Sequence, residues 1–293
     1  MATTVSQSFK QFKDNLEITD LQVSTVSIRQ KTVREVIEAG MTVSDSFLTG
    51  SYSRSTMIAP LGEADVDILF ILDPKYFYHY NGQNGSQAGL LDFVKRTLRN
   101  TYTLTPDISR NGQAVTIRFS DFLVDVVPGF DRQGGGYLIA NSISQTWIST
   151  DPKQHVSMMT VANKAHNNDL VPLVKMLKAW NRNNNKYFRS FHLEVLALQI
   201  FERVTISDFS SGARFFFDKG RFLITQQNLD PAGYGEDVGG YINTQAKMQE
   251  AAAKFELAYN RAIKAEDHAL RGYVKDAIDI WRIILGDYFP AYG

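Results

Sequence analysis

Apolar positions along the chain recur with two different periods, and the change from one to the other divides it into a strand-rich front and a helix-rich back. In the front, Val23, Val26, Ile28, Val33, Val36 and Ile37 follow a helical spacing that predicts a helix ending at Gly40. β-rich runs follow at 47–49, 66–72, 114–119 and 122–127, and the last two flank Ser120 and Asp121, which predicts a hairpin. Between them, 90–102 predicts a helix with Leu91, Val94 and Leu98 on one face, and 81–89 predicts a surface loop from its turn residues. After about Thr160 the period is helical throughout. Leu170, Leu173, Val174, Leu177 and Trp180 form one apolar stripe, and Leu193, Leu196, Ala197 and Ile200 form another. Two closing helices are predicted at 246–265 and 269–285, the second carrying Leu270, Val274, Ile278 and Trp281 before Gly286 and Pro290 stop it. Residues 228–243 predict a long loop. Their glycines do not form GxGxxG between a strand and a helix, which excludes a dinucleotide fingerprint there, and Gly134-Gly135-Gly136 reads as a turn.

Composition narrows the picture. With 293 residues, 44% of them hydrophobic and 21% charged, the chain is neither disordered nor fibrous and carries enough apolar material for one large or two modest cores. Lys plus Arg equals Asp plus Glu at 31 each, so no basic excess exists to hold a long phosphate backbone, which argues against a DNA or RNA coat protein. The absence of cysteine excludes disulfide frameworks, thiolate zinc sites and cysteine nucleophiles, and fits a reducing cytosol. Residues 1–15 hold Lys10, Lys13 and Asp14 and no apolar core of signal-peptide length, and no apolar run reaches membrane-span length. The expectation is a soluble, cytoplasmic protein without a membrane partner.

The candidate chemistry lies in the front half. Asp65 and Asp67 head the apolar run Asp65-Val66-Asp67-Ile68-Leu69-Phe70. In a strand, residues i and i+2 share a face about 6.6–6.8 Å apart, so the two carboxylates are presented together while Val66 and Ile68 face the core. Asp125 stands in similar company in Phe122-Leu123-Val124-Asp125-Val126-Val127, where sheet pairing could lay it beside the first pair. Three converging carboxylates repel one another unless cations sit between them, and hard oxygen donors suit Mg²⁺, with Mn²⁺ as an alternative. Two such ions about 3.5–4 Å apart clamp the attacking and leaving oxygens of a phosphoryl or nucleotidyl transfer. Upstream, Phe47-Leu48-Thr49-Gly50-Ser51 places a Gly-Ser turn after a strand, exposing backbone N–H groups and a hydroxyl to phosphate oxygens. The rival reading is an edge strand with two solvent-facing acids and a plain turn. The joint order of Gly-Ser, Asp-x-Asp and a later strand Asp favours the chemical one.

At these residues the sequence resembles the nucleotidyltransferase superfamily of DNA polymerase beta. Gly50-Ser51-Tyr52-Ser53-Arg54-Ser55-Thr56, Leu177-Lys178-Ala179-Trp180-Asn181, Ser190-Phe191-His192-Leu193-Glu194 and the ending Ile280-Trp281-Arg282 through Gly286-Asp287-Tyr288-Phe289-Pro290 are similar to the bacterial cGAS/DncV-like nucleotidyltransferases of CBASS anti-phage signalling. The resemblance runs from about Phe47 to Pro290. It implies an α+β, bilobed polymerase-beta-like fold: a mixed-sheet catalytic lobe with an N-terminal helix at 1–160, and a helical lobe at 161–293 closing a nucleotide cleft. It implies that Asp65, Asp67 and Asp125 are catalytic and hold the metals, with Asp125 also helping to activate the attacking hydroxyl. Gly50 and Ser51 are implied to hold the triphosphate, and Lys178 and Ser190 to contact its outer phosphates. The implied activity is template-independent synthesis of a cyclic di- or trinucleotide second messenger from nucleoside triphosphates, ATP among them, with pyrophosphate released. A downstream effector senses such a product, no long nucleic acid is required, and the flexible-looking ending Tyr292-Gly293 is a candidate for C-terminal conjugation or a regulatory partner.

Read from the residues alone, the helical candidates are less specific. Lys175, Lys178 and Arg182 fall at helical spacing beside an apolar stripe and form a basic face, which is ordinarily solvated. Ser190 reads equally as a helix cap, although Leu193 at i+3 supplies no capping box. His192 reads as a structural histidine, Trp180 and Trp281 as core, and His79 and His155 lack ligand spacing. Tyr52, Tyr76, Tyr78 and Tyr80 stay open. Two rival functions stand beside the synthase: nucleotidyl transfer to an RNA, small-molecule or protein acceptor, and a silent ligand-binding protein, which the presence of all three acids disfavours.

Overall fold

In the computed structural model, which describes residues 2–104 and 107–293, the elements run in chain order as follows. Helices α1 (Val5–Asn15) and α2 (Asp20–Gly40) lead to strand β1 (Val43–Thr49), the one-turn helix α3 (Gly50–Ser53) and β2 (Asp65–Leu72). Then come α4 (Pro74–Tyr80), α5 (Ser86–Thr101), β3 (Ile108–Asn111), β4 (Ala114–Arg118), β5 (Leu123–Asp131), β6 (Tyr137–Asn141) and β7 (Thr146–Thr150). The remainder is helical: α6 (Pro152–Ala165), α7 (Leu170–Asn183), α8 (Ser190–Ile200), α9 (Phe209–Leu223), α10 (Gln245–Leu270) and α11 (Val274–Leu285). Two units result, one of Ile18–Val156 and one of Met1–Glu17 with Ser157–Gly293.

The first unit is built on a mixed sheet ordered β1-β2-β5-β4-β3, with β6 joined to β5 and β7 to β6. β2 and β5 run parallel and the other neighbours antiparallel. The period-2 alternation of β2 sets its two faces. Val66, Ile68, Phe70 and Leu72 are buried in the main core with Val26, Val33 and Ile37 of α2 and Leu90, Leu91, Val94 and Leu98 of α5. Asp65, Asp67, Leu69 and Ile71 take the opposite face, where Leu69 and Ile71 pack with Phe47, Val127, Tyr137 and Ile139. α2 starts on a capping box: the Thr19 hydroxyl accepts from Gln22 N at 3.3 Å, and the Gln22 side chain accepts from Thr19 N at 2.9 Å. Its buried stripe is Val26, Val33 and Ile37, whereas Ile28 is 65% exposed, so the apolar face is narrower than the sequence period suggests. The expected loop at 81–89 is shorter, because α5 already begins at Ser86.

The second unit is helical and has an aromatic core. Trp180 of α7 stacks on Phe188 at 5.5 Å and meets Phe217 of α9 and Phe255 of α10. The N-terminal helix belongs here rather than with the sheet, unlike the expected 1–160 and 161–293 partition. Phe9 of α1 packs edge-on against Trp281 at 5.0 Å and Phe289 at 5.1 Å, and Phe12 against Phe289 at 5.2 Å. Tyr292, expected to be loose, forms a parallel bridge with Ala2, and Gly293 N donates to the Ala2 carbonyl at 3.2 Å. The expected helix at 269–285 is divided at Gly272, whose φ of +83° ends α10 and leaves Leu270 87% exposed, outside the apolar stripe. Among the described residues no helix is long and apolar enough to cross a membrane.

Candidate active site

Parallel pairing of β2 with β5 decides where the acids fall. Asp67 and Asp125 are direct register partners, and Asp65 lies two residues up the same face of β2 opposite Leu123. One carboxylate oxygen from each of Asp65, Asp67 and Asp125 lies within 4.8 Å of the other two. β2 is flanked by β1 on one side and β5 on the other, so the pair of acids does not decorate a sheet edge.

The electrostatics of this cluster are adverse without a cation. Asp65 is exposed, Asp67 half-buried and Asp125 buried. Burial first, and then the neighbouring carboxylates of Asp65 and Asp125, push the Asp67 carboxyl up to about 8, against the opposing pull of Arg54 and its own backbone N–H. Burial also raises Asp125, with Asp65 adding to the rise, while a hydrogen bond from the Thr116 hydroxyl at 2.6 Å holds it down. A set of hard oxygen donors that cannot all stay ionised together fits a divalent cation, and Asp65, Asp67 and Asp125 could hold one.

The Gly-Ser turn abuts the same acids. Thr49, the last residue of β1, pairs with Asp67, which delivers Gly50 to the carboxylate. Gly50 has a φ of +67°, and a Cβ built there falls on the Asp67 carboxylate, so both the backbone conformation and the close approach require glycine. Ser51 follows in α3, half-buried, its carbonyl accepting from Thr56 N at 2.9 Å and Met57 N at 3.1 Å, which closes the turn. Asp65, Asp67, Asp125, Gly50 and Ser51 thus gather within the sheet unit.

Lys178 and Ser190 lie in the helical unit. Lys178 is not part of a solvated basic face: it is 5% exposed and pairs with buried Glu194 of α8 at 2.6 Å. Lys175 is likewise buried, and its ammonium donates to Glu17 at 2.6 Å. Lys178 and Lys175 of this stripe are therefore neutralised by carboxylates from α8 and from Glu17, two residues beyond the end of α1. Ser190 is the exposed first residue of α8, a helix that starts without a side-chain cap. His192 is fully buried, shares a 3.1 Å hydrogen bond with the Tyr241 hydroxyl, and is lowered by burial to about 4, which keeps the ring neutral. That setting suits a structural histidine.

Residues 3–163, more than half of the chain, match the family profile of the Second Messenger Oligonucleotide or Dinucleotide Synthetase domain. The chain belongs to this family. The synthetase is 26% identical to the cyclic AMP-AMP-AMP synthase of Acinetobacter sp. (strain ATCC 27244 / 9458), across 98% of its own length and 86% of that protein. It is 24% identical to a probable cyclic nucleotide synthase of Bacillus cereus (strain VD146), across 83% and 81% of the two chains. Its fold is similar to that of CdnC from E. coli MS115-1 solved with ATP, with a TM-score of 0.73 and 17% identity over 98% and 99% of the chains. The synthetase is accordingly a cGAS/DncV-like nucleotidyltransferase with an α+β fold.

Two residues beside the synthetase's acids escaped the sequence reading. Arg54, at the end of α3, is close enough to draw Asp67 downward. Thr116 lies opposite Asp125 in the β4–β5 ladder. The second was available from the hairpin: a turn centred on Ser120 and Asp121 pairs position 116 with position 125.

Proposed function

We propose that this synthetase joins nucleoside triphosphates into a cyclic di- or trinucleotide, by attack of a ribose hydroxyl on an α-phosphorus with loss of pyrophosphate. The observation that carries the reading is the convergence of Asp65, Asp67 and Asp125 beside the Gly50-Ser51 turn. Mg²⁺ bound by the three carboxylates would supply charge stabilisation at the α-phosphate and the departing pyrophosphate. As a ligand of that cation, Asp125 would help lower the barrier to deprotonating the ribose hydroxyl, whose proton leaves to solvent as the new P–O bond forms and the bond to pyrophosphate breaks. Gly50 and Ser51 offer backbone and hydroxyl donors to the triphosphate. ATP is proposed among the substrates, supported by 26% identity to an enzyme named for a triadenylate product. We place the enzyme in the cytoplasm, in anti-phage signalling of the CBASS kind, with an effector protein reading the product.

The test is incubation of the purified chain with ATP, GTP, UTP and CTP and Mg²⁺, with products identified by mass. A phosphatase-resistant cyclic product formed without added acceptor supports the reading. Nucleotide incorporation that appears only when RNA, a small hydroxyl compound or a protein is added replaces it with nucleotidyl transfer to that acceptor. Asp67→Asn should lower pyrophosphate release by about 100-fold or more while leaving triphosphate binding largely intact.

A further inference from the structure

Thr116 hydrogen-bonds one of the three carboxylates directly. Its hydroxyl donates to Asp125 Oδ1 at 2.6 Å, the length of a charge-assisted bond, and both side chains are buried. The two residues are direct partners across the β4–β5 ladder, so the donor and the acceptor are fixed by the same backbone pairing. Thr116 is also β-branched and sits on a strand, where its side-chain torsion has little freedom. Asp65 is exposed and Asp67 half-buried, whereas Asp125 and its Thr116 partner are both buried. A carboxylate with one oxygen held by the hydroxyl of a stiff side chain loses rotational freedom, which favours one presentation of its second oxygen. Asp125 is therefore held in place by its neighbour across the ladder.

We propose that Thr116 is a positioning residue: it holds Asp125 by Oδ1 so that the free oxygen faces the cation shared with Asp65 and Asp67. Thr116 itself touches neither substrate nor metal. The proposal rests on the reading that the three acids hold a divalent cation, and it adds to that reading the residue that orients one ligand. Partners that orient metal ligands from behind typically change metal affinity or activity by about 10–100-fold when removed.

The experiment compares Thr116→Val, which keeps the β-branched shape and strand preference but deletes the donor, with Thr116→Ser, which returns it. Mn²⁺ is titrated into each folded protein without nucleotide, and free Mn²⁺ is read by electron paramagnetic resonance. Turnover is followed separately as pyrophosphate release against triphosphate concentration. Thr116→Val should weaken Mn²⁺ binding about 10–100-fold and lower kcat while KM for the triphosphate holds within about 2-fold. Thr116→Ser should stay within about 3-fold of the parent in both. Parental Mn²⁺ affinity in Thr116→Val overturns the proposal, and so does a Thr116→Ser protein as impaired as Thr116→Val, which would make the role one of packing. Mn²⁺ binding in the parent that Asp67→Asn leaves untouched overturns the metal reading itself, and the proposal with it.

Discussion

Replacing Gly50 by alanine separates two effects that the structure superimposes at one position. The first is conformational: Gly50 sits at a φ of +67°, and an L-residue held there is destabilised by about 1–2 kcal/mol. The second is steric: the new Cβ occupies the space of the Asp67 carboxylate, and restoring ordinary separation displaces an oxygen by about 1 Å or more. A displacement of that size at a reacting centre reduces turnover by about 100-fold. Gly82 supplies the control, because its φ is +76° and a Cβ there meets nothing within 4 Å. Gly50→Ala and Gly82→Ala should therefore lose similar stability, a few degrees in Tm by thermal melt. Gly50→Ala alone should lose about two orders of magnitude in pyrophosphate release. Equal and near-parental turnover in both variants would refute the reasoning, because it would mean that the Asp67 carboxylate is free to sit elsewhere without loss.

Further outcomes follow from the helical unit. His192 stays neutral in the folded chain down to about 4, whereas the imidazole of an unfolded chain takes up its proton near 6.5. The unfolded state thus binds more protons between those values; this contribution is complete above 6.5 and is lost as pH falls toward 4, by at most about 3 kcal/mol. Urea unfolding across that range should show the slope and His192→Gln should flatten it; identical profiles would contradict the buried neutral ring. Lys178→Met should destabilise the chain by about 3–5 kcal/mol by removing the buried ammonium that faces the Glu194 carboxylate, and Lys178→Met with Glu194→Leu should recover most of that loss in denaturant titrations. A double variant no better than the single one would show that the pair is not the source of the instability.

The alternation of Asp65, Val66, Asp67 and Ile68 was enough to read a strand with two acids on one face, and the hairpin around Ser120 was enough to read β4 and β5. What that pattern does not carry is the parallel pairing of β2 with β5, which brings Asp125 level with Asp67 across 58 positions of chain. Parallel neighbours are joined by long crossovers, here α4, α5, β3 and β4, and no local signal records them. The placement of α1 was illegible for the same reason, since Phe9 and Phe12 find Trp281 and Phe289 at the far end of the sequence. Consecutive Phe215, Phe216 and Phe217 blur the helical period of α9, of which Phe216 and Phe217 are buried. Lys175 and Lys178 looked like a solvated face because the carboxylates that pair with them come from other elements. The Gly-Ser and Asp-x-Asp motifs survived this loss of long-range information because their geometry is set within a single turn or strand.

The most direct measurement is a crystal of the chain grown or soaked with Mn²⁺, with diffraction recorded at the manganese edge. An anomalous peak within about 2.0–2.4 Å of oxygens from Asp65, Asp67 and Asp125 together is the expected result. A fully occupied manganese ion bound elsewhere, with the Asp125 carboxylate turned away from the other two, would contradict the account.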